Sequence, residues 1–281
     1  MNSYARRRAV DRVMAGVCLL CTGLALLPLA AVLGYLLFKG LTFLTVDLFT
    51  QLPRPAGDSG GGMANAMVGS LIVLAIAAVI AIPAGILAAI YLSEFGHNPF
   101  GQTVRFVADV LTGIPSITVG VFVYAVLVLP FHTFSALAGG AALAIIMLPI
   151  VVRSTEQMLS LIPGSLREAS YALGAPRWKT ILMVVLPAAR AGVATGILLA
   201  IARVAGETAP LLFTAFGNRF WHWSIDHGPI AALPLQIFTY AIGPYESWHR
   251  QAWAGALVLV AGVTLISLTV RLVARRQPQQ V

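Results

Sequence analysis

Two ionisable side chains, Arg203 and Glu207, interrupt an apolar run that begins near Ala191. A charge within hydrocarbon is costly unless it faces water or a partner, so such residues mark a substrate or ion path. Arginine presents a planar, permanently charged fork that needs no protonation to pair with an anion. Glu207 could hold that fork, neutralise it at rest and compete with an incoming anion, which would make a gate. Gly192, Gly196, Ala200, Arg203 and Glu207 recur at spacings of 4, 4, 3 and 4, which predicts a single helical stripe with small residues below and charge above. Counted from Ala191, Arg203 falls roughly 18 Å along the helix, past the middle of a core about 30 Å thick. The plainer reading is an i to i+4 ion pair that only tightens packing. Gly206, Thr208, Ala209 and Pro210 surround the carboxylate with a flexible residue and a breaker, and non-helical backbone at depth requires protein or a water-filled cavity beside it.

A second constellation lies between Arg153 and Arg190. Ser165 and Glu168 have the spacing of a capping box, in which each side chain satisfies an amide of the first helical turn, and Gly174 suits the left-handed position after the last turn. The short helix so defined carries Leu166, Ala169 and Leu173 on one face, suited either to lying on the rest of the protein or to entering another protein's groove. Other chemistry is weaker. Cys18 and Cys21 form a CxxC inside an apolar run with no second pair, where cysteines act as small hydrophobes. His222, His227 and His249 lack the carboxylate or cysteine spacing of a metal site, so no metal ligand set and no catalytic group is expected. No GxxxxGK[ST] pattern occurs, so the chain does not cradle ATP phosphates in that way.

The elements that position these residues follow from composition. Of 281 residues 59% are hydrophobic and 10% charged, against a soluble norm of about 25%. One core of this size cannot hide so much apolar surface, and the bilayer is the first partner. The net charge of +8 does not indicate nucleic acid, because the cations cluster at span boundaries. Six spans are expected: Val13 to Phe38, Ser59 to Ser93, two within Val110 to Val152 broken at Pro130, Phe131 and His132, one from near Ala191, and Gln251 to Val270. The first is too long for a cleaved signal peptide. With both ends in the cytoplasm, 13 Lys and Arg lie inside and 4 outside, with Arg203 set aside, as the positive-inside rule requires. Arg105, Arg153 and Arg190 then read as boundary residues that snorkel, and Asp109 as interfacial. Phe220, Trp221, Trp223, Trp248 and Trp253 form an outer aromatic collar.

Glu168, Ala169 and Ser170, then Gly174, Val184, Leu186 and Pro187, resemble the EAA loop of ATP-binding-cassette (ABC) importer permeases, departing from it mildly at Ser170 and Val184. The run from Gly206 to Asn218, with Arg203, resembles phosphate-specific permeases of the Pst system, A-type. Further matching patches are Gly113 to Ser116 with Gly120, and Ala231 to Phe238. The resemblance covers roughly residues 66 to 270. It implies an all-α, MetI-like permease: a first helix in 1–64, a transport core in 65–272 with a coupling loop at 153–190, and a cytoplasmic tail at 273–281. It implies inward transport of inorganic phosphate across the bacterial inner membrane, with Arg203, Glu207, Thr208 and Ser116 along the path. Ser165, Glu168, Ala169, Ser170 and Gly174 would couple to the ATPase. The implied partners are a PstC-type permease in a heterodimer, two PstB-type ATP-binding subunits and a periplasmic phosphate-binding protein; ATP is used there, and no cofactor is bound by this chain. The rivals are an importer of sulfate or molybdate, an ion-coupled transporter or channel with Glu207 as proton carrier, for which no internal repeat is seen, and a purely structural membrane subunit.

Overall fold

The computed structural model describes residues 3–55, 58 and 60–275. Among these the regular structure is helical apart from one isolated parallel bridge, Phe216 to Ile230. We number the principal helices α1 (Ser3–Thr42), α2 (Ala64–Glu94), α3 (Pro99–Gly113), α4 (Ser116–Phe131), α5 (Ala136–Ser160), α6 (Gly164–Ala172), α7 (Arg177–Ala205), α8 (Ala209–Thr214), α9 (Leu233–Ala241) and α10 (Glu246–Arg275). Helices α1, α2, α5, α7 and α10 are long and apolar enough to cross a membrane, and the bent pair α3 and α4 makes six when counted as one span.

Two boundaries differ from expectation. The apolar run starting at Val110 is not a straight helix: α3 and α4 meet at 103°, and the second arm of this bent pair begins at Ser116. Pro115 explains the bend, since it has no N–H to donate and biases Ile114, at ψ 131°, out of the helical region. Helix α7 begins at Arg177, well before Ala191, because the chain carries Pro187 through a π-turn. Residues Ile181 to Val185 widen by one residue and the Leu186 N–H donates to Ile181 O, which accommodates the proline ring. The same device, Tyr124 to Val128, precedes Pro130 in α4. The expected break there is present, with His132 left-handed at φ 51°. The assigned tail at 273–281 is described only to residue 275, and Ser59, the expected start of span two, lies outside the described residues.

The core is a stripe of small residues. Along α2, Val73, Ala77, Ala81, Gly85 and Ala89 are buried at every fourth position, and they face α5. Backbones approach closely: a Cβ at Gly85 would lie 2.7 Å from Val151 Cγ1. In lipid this dispersion contact replaces the hydrophobic drive, since the tails outside are as apolar as the helix. Helix α1 stands apart, its long apolar surface exposed, and it touches the rest chiefly where Gly40 meets Leu257 and Tyr35 sets its ring edge-on to Trp253 of α10.

Candidate transport site and coupling surface

The expected stripe on α7 is partly realised. Gly192 and Gly196 meet Met158 and Ser154 of the antiparallel α5, where any side chain would collide, and Ala200 is fully buried. The stripe then continues to buried Val204, while Arg203 turns to the exposed side. Because Gly196 lies level with Ser154, beside Arg153, Arg203 stands seven residues or roughly 10 Å beyond that charged level.

Helix α7 stops at Ala205. Gly206 is exposed, the Glu207 N–H donates to Val204 O at 3.1 Å, and the Thr208 carbonyl accepts from Leu211 and Leu212 at the start of α8. Glu207 is therefore not on the helix that carries Arg203, and among the described residues no ion pair joins them. The i to i+4 pair is corrected on that ground. The break is held from α4: a Cβ at Gly120 would lie 2.6 Å from Pro210 Cα, so only glycine permits this approach. Ser116, half-buried, lies one turn before Gly120 on the same face of α4. Ser116 thus lies one turn from the contact that holds the break, Glu207 and Thr208 lie within the break, and Arg203 lies on the last turn of α7 before it.

At the opposite end of α7 the expected capping box does not form. Helix α6 begins at Gly164 with Pro163 before it and no side-chain cap, so Ser165 lies inside the first turn, exposed like Glu168 and Ala169. Gly174 does take the left-handed conformation, at φ 80°, and the Ala175 N–H closes onto Ser170 O at 3.2 Å. Ser170 is buried, and its hydroxyl meets that of Thr180 at 2.9 Å, joining α6 to the first turn of α7. Leu166 and Leu173 remain exposed, so the apolar face of α6 has no partner within the described residues.

The boundary charges form a network instead of snorkelling singly. Arg105 pairs with Glu156 at 2.6 Å, and Arg153 pairs with Asp109 and, at 3.5 Å, with Glu156. Arg190 alone of the three arginines is exposed without such a pair. Sequence reasoning missed Glu94, Glu156 and Arg167 as structural groups. The signal was present in part, because Arg105 with Asp109 and Arg153 with Glu156 have helical spacings of complementary charge. On the far side Trp221 and Trp223 stack at 5.5 Å, and Phe220 and Trp223 are exposed. There the His222 ring bonds to His227 O, and His227 with Ser224 holds the Asp226 carboxyl down at about 2. These histidines engage their own loop.

A family model described as the binding-protein-dependent transport system inner membrane component matches residues 81–278. The chain belongs to this family. It is similar to the phosphate transport system permease protein PstA of Xylella fastidiosa, at 47% identity over 95% of this chain and 93% of that protein. The protein of the same name from Haemophilus influenzae is 43% identical over 95% and 94%. Among solved structures, the inward-facing MetNI methionine ABC transporter aligns over 75% of this chain and 92% of its own with TM-score 0.60 and 20% identity. A bacterial importer of the polysaccharide alginate aligns over 97% and 100% with TM-score 0.68 and 14% identity. At such identities these two establish the fold, that of an ABC importer permease. The family's chains are membrane components, and the multi-pass helical architecture agrees.

Proposed function

We propose that this chain is the membrane permease subunit of an ATP-driven importer of inorganic phosphate. The observation that carries the reading is Arg203, an intramembrane cation on an exposed helix face beside a broken segment, in a chain 47% identical to a phosphate permease. The guanidinium supplies charge-assisted hydrogen bonds to two phosphate oxygens without titrating. Ser116 and Thr208 supply hydroxyls that donate to further oxygens, and Glu207 repels a second anion and favours onward movement. The exposed face of Arg203 fits a path completed by another permease of PstC type.

The α6 side is cytoplasmic, since that orientation puts the cation excess inside. The unpartnered face of α6 then suits a groove on an ATP-binding subunit of PstB type, one of two, and ATP is bound there and not by this chain. A periplasmic phosphate-binding protein delivers substrate to the aromatic outer loops. The test is reconstitution of the complex in proteoliposomes with ATP inside and the loaded binding protein outside. Uptake of labelled phosphate, undiminished by excess sulfate or molybdate, is expected; uptake of either competitor in its place overturns the phosphate reading.

A further inference from the structure

Two arginines close the α6 end of the fold reciprocally. Helix C-termini leave their last carbonyls without intrahelical donors, and α2 and α5 both end here. Arg105, from α3, donates through Nη2 to Leu92 O at 2.7 Å and through Nη1 to Gly96 O at 2.8 Å at the end of α2, while its Nε meets Glu156 of α5. Arg167, from α6, donates through Nη1 to Ile162 O at 2.7 Å and through Nη2 to Leu159 O at 3.1 Å at the end of α5. Its Nη2 and Nε reach Glu94 Oε1 of α2 at 2.8 and 3.1 Å. Each guanidinium therefore caps one helix of the α2–α5 pair and binds an acid of the other.

The Arg167 and Glu94 side chains are 18% and 10% exposed, so solvent screens them less than a surface pair. Arg167 thus makes four hydrogen bonds to three separate places on α2 and α5, and lysine, a point charge on a flexible stem, cannot occupy them together. Among the described residues, the other side-chain hydrogen bond that ties α6 to another helix is Ser170 to Thr180, which leads to α7 instead.

We propose that Arg167 is a positioning residue that fastens the coupling helix to the joined ends of α2 and α5, so that helix and pair move as one body. This rests on the reading of α6 as the helix that docks on an ATPase subunit. Flexure during transport is then located away from this joint, at the 103° bend between α3 and α4 and at the non-helical Gly206 to Thr208. A rigid joint and a hinge make opposite predictions for a covalent link across it.

The experiment uses the complete transporter in proteoliposomes, with Cys18→Ala and Cys21→Ala to remove the native thiols. The double variant Glu94→Cys with Arg167→Cys is expected to retain the ATPase subunit and to hydrolyse ATP, but to move about tenfold less labelled phosphate per ATP, as loss of charge-assisted bonds allows. Joining the two thiols with a short bismaleimide is expected to restore most of that coupling, while the ATPase subunit retained is the same before and after the link, as a merely stabilising role would not give. Full coupling before the link, or persistent uncoupling after it, overturns the proposal. Arg167→Lys, which keeps the charge, guards against a variant that fails to assemble: uptake per ATP is expected to fall severalfold, and unchanged coupling overturns the proposal equally. Copurification of an ATPase subunit with the unmutated chain is measured first. Its absence refutes the docking reading itself, whereas its presence with wild-type coupling in both variants refutes only the role of Arg167.

Discussion

Arg203 and Glu207 stand on separate backbone segments, so each can be altered without stranding the other. Breaking a buried pair typically costs on the order of 3 to 5 kcal/mol, but no such pair exists here to break. Arg203→Gln is therefore expected to leave insertion and assembly intact while uptake falls roughly ten- to a hundredfold, the equivalent of one charged hydrogen-bonding group. Adding Glu207→Gln is expected to bring no recovery; restored uptake in the double variant would assign both residues to structure. Gly120 makes a different demand. A Cβ there would lie 2.6 Å from Pro210 Cα, backbone that cannot rotate aside, so Gly120→Val is expected to cost about 1 to 3 kcal/mol as overpacking. Its Tm in detergent should drop, with uptake reduced through displacement of the Gly206 to Thr208 junction.

Among the elements, α6 and α7 are joined by one buried hydroxyl pair, Ser170 and Thr180. Thr180 keeps Pro176 O as a second acceptor, so Ser170→Ala leaves no bare donor. The expected loss is about 1 kcal/mol, and a double-mutant cycle with Thr180→Val should return a coupling energy of roughly 0.5 to 1.5 kcal/mol. Additivity in that cycle would mean that the hydroxyls do not support each other. The π-turns ahead of Pro130 and Pro187 show how two prolines sit inside long helices: the extra residue moves the carbonyl that the ring would strike.

On the scale of the whole molecule, the proposed transport junction and the proposed coupling helix lie at opposite ends of α7. Among the described residues, Ser165 and Glu168 on the exposed surface of α6 cap no helix end. Glu168→Lys is accordingly expected to leave the Tm of this chain unchanged while reducing the ATPase subunit retained on purified permease. Equal retention and equal uptake would remove α6 from the docking surface.

Several features were legible in the sequence because they depend on composition and local pattern. The apolar runs specify helices at bilayer length, Pro130 to His132 marks a break, Gly174 marks a left-handed helix end, and the Gly192–Gly196–Ala200 stripe marks a close helix contact. The EAA-like spacing and the Arg203 to Asn218 run likewise pointed to a phosphate permease without coordinates. The tertiary structure decided where each helix actually stops. It ended α7 at Ala205, which parted Glu207 from Arg203; it bent the chain at Pro115; and it tied four helices together through two separate ion pairs, Arg105 with Glu156 and Arg167 with Glu94. Helical spacing reports only neighbours on the same helix, whereas partners such as Glu94 and Arg167, 73 residues apart, meet solely because α2 and α5 pack and end at one level.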